Sequence, residues 1–250
     1  MTLLRSNREL SKDRIWNWTL PAWRIVLPDG RKFNTCPNAG PCAQYCYARN
    51  GTYLFRNVRE AHIRNLMFVL DEPRWMDLMV EELSARKFRP TGNARVLPDG
   101  CQVVDDEWMR NWLSVGGAAV RVHDSGDFFN EAYLDGWLEV AERVPDVLFY
   151  AYTKEVSLFQ GLKNPPVNFR WLYSLGGLED HLIDLSTERH ADVFPTPEAI
   201  VAAGYESQDA NDLLCILLDT PKVGITANAI RHFNKRMDGR RFSELHPHRS

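Results

Sequence analysis

The stretch FNTCPNAGPCAQYCYARNG, residues 33–51, places Cys36, Cys42 and Cys46 on one short segment rich in Pro, Asn, Gly and aromatic residues. These are three of the five cysteines in a 250-residue chain, spaced C-x5-C-x3-C. A structural zinc site closes a tetrahedron with four ligands, usually from two C-x2-C pairs or a Cys/His combination. No fourth thiol or histidine follows in the same segment. Three thiolates on one loop suit instead a cubane iron-sulfur cluster with one iron left open, free to bind a further ligand as a Lewis acid. Two alternatives stay open: zinc completed by a distant His62, His123, Cys101 or Cys215, and three free cysteines without chemical role. Pro37, Gly40 and Pro41 supply turns that would let three sulfurs face one point.

Elements must hold that loop in place. WRIVLPDGRKFN, residues 23–34, alternates around a Pro-Asp-Gly turn and predicts a β-hairpin; ARVLPDGCQVV, residues 94–104, repeats the turn. After the cysteines, NVREAHIRNLMFVL predicts a helix, with Asn57 and Glu60 at capping-box spacing. AAVRVHDSGDFF, residues 118–129, is an apolar strand ending in a polar turn, followed by a helix with Asn130 as N-cap and Pro145 as stop. DVLFYAYTK and NFRWLYSLGG are further apolar strands. Strand, helix and strand at roughly 25- to 30-residue intervals predict βαβ units and a parallel sheet. Sites in such sheets gather at the C-terminal ends of the strands, which here carry Asp124, Ser125, Gly126 and Asp127, then Thr153 and Lys154, then Ser174. Beyond about Glu179 the pattern weakens to mixed loops and short helices.

Asp124 and Asp127 either position an amine or a proton, or bond backbone donors of a strand-to-helix turn. Lys154 is costly to bury without a partner, for which Asp127 is one candidate. Trp16, Trp18 and Trp23 read as core or a lid over the hairpin more readily than as base-stacking residues. The basic run Arg231, Lys235, Arg236, Arg240 and Arg241 reads as a solvated helix face, and is also the best patch for nucleic acid. With 44% hydrophobic and 25% charged residues and a net charge of -3, the composition is that of a globular protein without a global nucleic-acid signature. The N-terminus has no signal-peptide pattern and no apolar run is long enough to cross a membrane, so a cytoplasmic location is expected.

The aromatic residue before the last cysteine, Tyr45-Cys46, followed by Tyr47-Ala48, resembles the cluster loop of radical S-adenosylmethionine (SAM) enzymes. More closely, CPNAGPCAQYCYARNGTY together with VRVHDSGDFF and FYAYTK resembles the bacteriophage "gene product 88" family of three-cysteine proteins, over about residues 34–177. Radical SAM enzymes use C-x3-C-x2-C, so both gaps are longer here. The resemblance implies an α/β fold of partial (β/α) barrel type, related to the TIM barrel. Residues 1–34 would form an N-terminal β-hairpin extension, 35–178 the barrel core, and 179–250 the C-terminal part of the same domain, a helical extension of mixed loops and helices. It implies a [4Fe-4S] cluster on Cys36, Cys42 and Cys46, and SAM held by Ser125, Gly126 and Asp127 in the place of a Gly-Gly-Glu motif, with Thr153, Lys154 and Ser174 from the next two strands. The implied activity is formation of a 5'-deoxyadenosyl radical that abstracts hydrogen from an unidentified substrate, with a reductant protein as partner. A non-enzymatic iron-sulfur protein on the same fold, for redox sensing or partner binding, is the rival, and a zinc-stabilised nucleic-acid-binding module a third reading. A phage origin would place the protein in the host cytoplasm.

Overall fold

The computed structural model describes residues 2–227, 234, 235 and 237–245. Seven strands, β1 (Ile15–Trp18), β4 (Ala119–Val122), β5 (Leu148–Thr153), β6 (Phe169–Ser174), β7 (His190–Phe194), β8 (Glu206–Ser207) and β9 (Lys222–Thr226), form one sheet in the order β1-β4-β5-β6-β7-β9-β8. All its pairings are parallel. β1 and β8 are its two edges, so among the described residues the sheet is open and no closed barrel forms. The remaining strands, β2 (Arg24–Val26) and β3 (Lys32–Asn34), make the antiparallel hairpin predicted around Pro28-Asp29-Gly30.

Parallel strands buried on both faces read as continuous apolar runs, and Leu148–Tyr150 in β5 is fully buried. One face carries Trp18, Val120, Val122, Phe149 and Ala151 and packs on the helices Arg56–Asp71, Trp75–Leu83 and Glu131–Arg143; the other carries Ile15, Ala119, Leu148 and Tyr150 and packs on Glu107–Val115 and Leu214–Leu217. The Glu131–Arg143 helix begins as predicted, Asn130 accepting from the Tyr133 N–H at 2.9 Å, and ends before Pro145.

Several expectations are corrected. The N-terminal 34 residues hold β1, a full member of the sheet, besides the hairpin. Residues 190–226 supply β7, β8 and β9, where only mixed loops and helices were expected. The turn expected within residues 94–104 is present at Asp99-Gly100, and Val103 beyond it bridges to Leu218. The capping box at Asn57 is absent: the helix starts at Arg56 with Phe55 at its N-cap, and Glu60 pairs with Arg56 at 2.7 Å. The tryptophans, by contrast, follow the reading as core: Trp18 is buried and donates to the Tyr133 hydroxyl at 3.0 Å and Trp16 packs on Phe88, while Trp23 lies under the guanidinium groups of Arg24 and Arg49. No helix among the described residues is long and apolar enough to cross a membrane.

Candidate functional site

The cysteine loop leaves the hairpin, turns through Pro37–Pro41 and enters the short helix Cys42–Tyr45; two 3-10 turns then lead to the Arg56–Asp71 helix. Contacts to the far strands hold it. Glu155 accepts from both the backbone N–H (3.0 Å) and the side-chain amide (2.7 Å) of Asn38. Asn38 in turn accepts from Leu178 N–H at 2.9 Å, and Cys42 N–H reaches the Gly176 carbonyl at 3.2 Å. The loop thereby lies across the C-terminal ends of the parallel strands.

A cavity of about 670 Å³ opens there. Cys36, Cys42 and Cys46 line it together with Arg121 to Asp127 except Val122, and with Tyr152, Lys154, Ser174, Gln208 and Asp212. Of the nine residues that the resemblance assigns to the cluster and SAM, eight thus line one cavity, and the ninth, Thr153, donates to Asp127 Oδ1 at 2.7 Å. Every strand that reaches this end contributes through its last residues or the turn that follows.

Asp127 and Lys154 are occupied differently than expected. The buried Asp127 carboxylate accepts from Phe128 N–H (2.8 Å), the Thr153 hydroxyl and Lys154 backbone N–H (2.9 Å). Burial pushes this carboxyl up, against the pull of those donors. The Lys154 ammonium donates instead to Ser174 O (2.6 Å), Ser174 Oγ (2.9 Å) and Leu175 O (2.8 Å). Ser125 donates to the Leu20 carbonyl at 2.5 Å, tying the turn after β4 to the loop after β1. Gly126, at φ +85°, lies so close to Leu20 that a Cβ would approach that side chain to 2.6 Å.

The thiols occupy contrasting environments. Burial pushes Cys36 up to about 12, reinforced by Asp127, while the Trp23 backbone N–H and the Thr35 hydroxyl pull it back. Cys42 is drawn down to about 7, chiefly by its hydrogen bond with Cys46 and also by Lys154; Cys46 rises correspondingly and receives the Ala48 N–H. Among the described residues, no three His, Cys, Asp or Glu side chains are gathered to hold a single metal ion. The donor set does suit a larger anionic group: three sulfurs on one cavity wall, backbone N–H groups directed at two of them, and a buried ammonium beside the third.

A second polar group lines this cavity, of which the sequence pointed to Asp124 alone. Arg121, stacked on Tyr152 at 5.1 Å, lies 3.5 Å from Asp124 and 3.4 Å from Asp212. Tyr53 and Tyr150 donate to those two carboxylates, Tyr47 donates to the Asp124 carbonyl, and Tyr152 donates to Gln208 Oε1 at 2.5 Å. A single charge inside the apolar run AAVRV was the available signal. His62 and His123 do not join the thiols as a ligand set; His123 bonds Tyr133 through Nε2 at 3.0 Å, and its Nδ1 has no partner. Of the basic run, Arg231 and Arg236 lie outside the described residues, and Arg241 pairs with Glu244 at 3.1 Å.

Fold and site together define an α/β protein with an open parallel sheet and a thiol-bearing cavity at its C-terminal edge. The chain belongs to the gene product 88 family, whose model matches residues 1–246. No curated protein and no solved structure matches it.

Proposed function

We propose that this protein holds a [4Fe-4S] cluster through Cys36, Cys42 and Cys46, leaves one iron open, and works as a radical-SAM-like enzyme on a substrate bound in the same cavity. The carrying observation is the convergence of three thiols from one loop on a cavity at the C-terminal ends of sequential parallel strands. When bound, the cluster supplies a Lewis-acidic iron and a single electron. The chain supplies the surroundings. Trp23 and Ala48 N–H groups and the Lys154 ammonium offset negative charge on the sulfurs. Ser125, Gly126 and Asp127 shape the wall where SAM would sit, with Thr153 and Ser174 fixing Asp127 and Lys154. Arg121, Asp124, Gln208 and Asp212 offer polar contacts for a substrate, and the cavity limits water.

Anaerobic purification followed by iron and sulfide analysis tests this reading. About four irons per chain are expected, lost in each of Cys36→Ala, Cys42→Ala and Cys46→Ala and kept in Cys101→Ser and Cys215→Ser. Iron retained after removal of any of the first three would overturn the ligand set. One observation favours a second reading, a non-enzymatic iron-sulfur protein: Asp127 is already taken up by protein donors and offers little to a SAM amino group. Equilibrium dialysis of the iron-loaded protein with SAM separates the two, since only the enzyme reading requires binding.

A further inference from the structure

Beyond the last strand, the chain returns to the thiols. Met237, Phe242 and Leu245 form a small apolar cluster against which Cys42, Tyr45, Val193 and Ala227 pack. The Phe242 ring stands edge-on to Tyr45 at 6.1 Å and lies 5.6 Å from the Lys154 ammonium. It rests on Gly176, where a Cβ would come within 2.3 Å of the ring. A side chain at position 176 would leave no room for Phe242.

The neighbouring residue is bolted to the sheet. Asp192 sits in β7 at 1% exposure and accepts from Ser243 N–H at 3.0 Å and from the Ser243 hydroxyl at 2.6 Å, besides Val193 N–H at 2.9 Å. Arg241 approaches it at 3.8 Å. A carboxyl buried in a strand is costly unless hydrogen-bonded, and here two of its three bonds come from a short segment some fifty residues further on. If 241–245 undocked, Asp192 would lose them and Phe242 would leave an opening over Cys42 and Lys154. The sheet itself gains nothing from an aspartate there; an apolar residue would pack with its neighbours.

We propose that residues 241–245 are a lid over the thiol end of the cavity, that Phe242 is its plug and that Asp192 is its latch. The proposal deepens the reading above and rests on it for what is shielded. With this end closed, the side bounded by the exposed Gly51 and Thr52 is the way into the cavity.

The test is alkylation of the full chain, reduced and metal-free, by iodoacetamide, with labelling followed at each cysteine by mass spectrometry. Cys42 reports the lid, Cys36 the rest of the loop, and the buried Cys215 global opening. Ser243→Ala removes one latch bond and should raise the Cys42 rate roughly five- to tenfold; Phe242→Ala should raise it further. Cys36 and Cys215 should stay at their wild-type rates in both. A Cys42 rate unchanged in Ser243→Ala and Phe242→Ala, or a rise shared equally by all three cysteines, would overturn the lid. Because no iron is present, failure here is distinct from failure of the cluster reading, which the iron analysis judges.

Discussion

Asp127 and Lys154 are neighbours in the same hydrogen-bonded corner, yet carboxylate and ammonium serve different partners. Asp127 gathers the ends of β4 and β5; Lys154 gathers β5 and β6. Asp127→Ala would strand two buried N–H groups and a hydroxyl, and should cost about 3 kcal/mol of stability, read from urea unfolding. His123 makes a prediction for pH. Burial holds its imidazole down to about 3, so it is neutral in the fold and charges near 6.5 when unfolded. The unfolded chain then binds the extra proton, and stability should be complete above pH 6.5 and fall by up to about 1.4 kcal/mol per pH unit as pH drops toward 3. His123→Asn, which tolerates the φ of +72° there, should flatten that slope in pH-dependent melts. The thiols, the strand-end motif and the lysine were all legible as residues, because each stands out against its local background. Their partners were not: Asn38 finds Glu155, and Lys154 finds Leu175, only after distant segments meet.

The elements that position the site differ in how plainly the sequence announced them. β4, β5 and β6 are apolar runs bounded by turn residues, and local pattern suffices to read them. β1, β7 and β9 are four or five residues long with Trp, His, Asp or Gly among them, and their identity comes from the neighbour they pair with, a non-local ladder. The expectation of mixed loops and helices beyond Glu179, where β7, β8 and β9 lie, followed from that. The turn after β4 depends on Gly126, whose positive φ and contact with Leu20 leave no space for a side chain. Gly126→Ala should lower stability by about 2 kcal/mol or more in thermal melts and displace Ser125 from the Leu20 carbonyl; full stability in that variant would show that the turn can shift freely.

At the scale of the whole molecule, an open parallel sheet must protect two edges. β8 does so by being two residues long, whereas the outer edge of β1 is covered by the N-terminal segment: Arg5 bridges to Asn17, Leu3 and Leu4 are buried, and their N–H groups donate to Glu82. Removing residues 1–6 should uncover β1 and two core leucines and raise concentration-dependent self-association by light scattering above that of the full chain; an unchanged scattering profile would show that the edge is guarded otherwise.

The attachment of the cysteine loop to the ends of β5 and β6 and to the C-terminal lid has a consequence in time. A ribosome releases the three thiols long before Phe242, since a chain emerges from its N-terminal side first. Until Lys154, Glu155 and Gly176 have followed, the nascent thiols lack their clamp, and until Phe242 has followed they lack their cover. A group held by all three thiols in their folded setting would therefore be bound only after those later segments have emerged and docked.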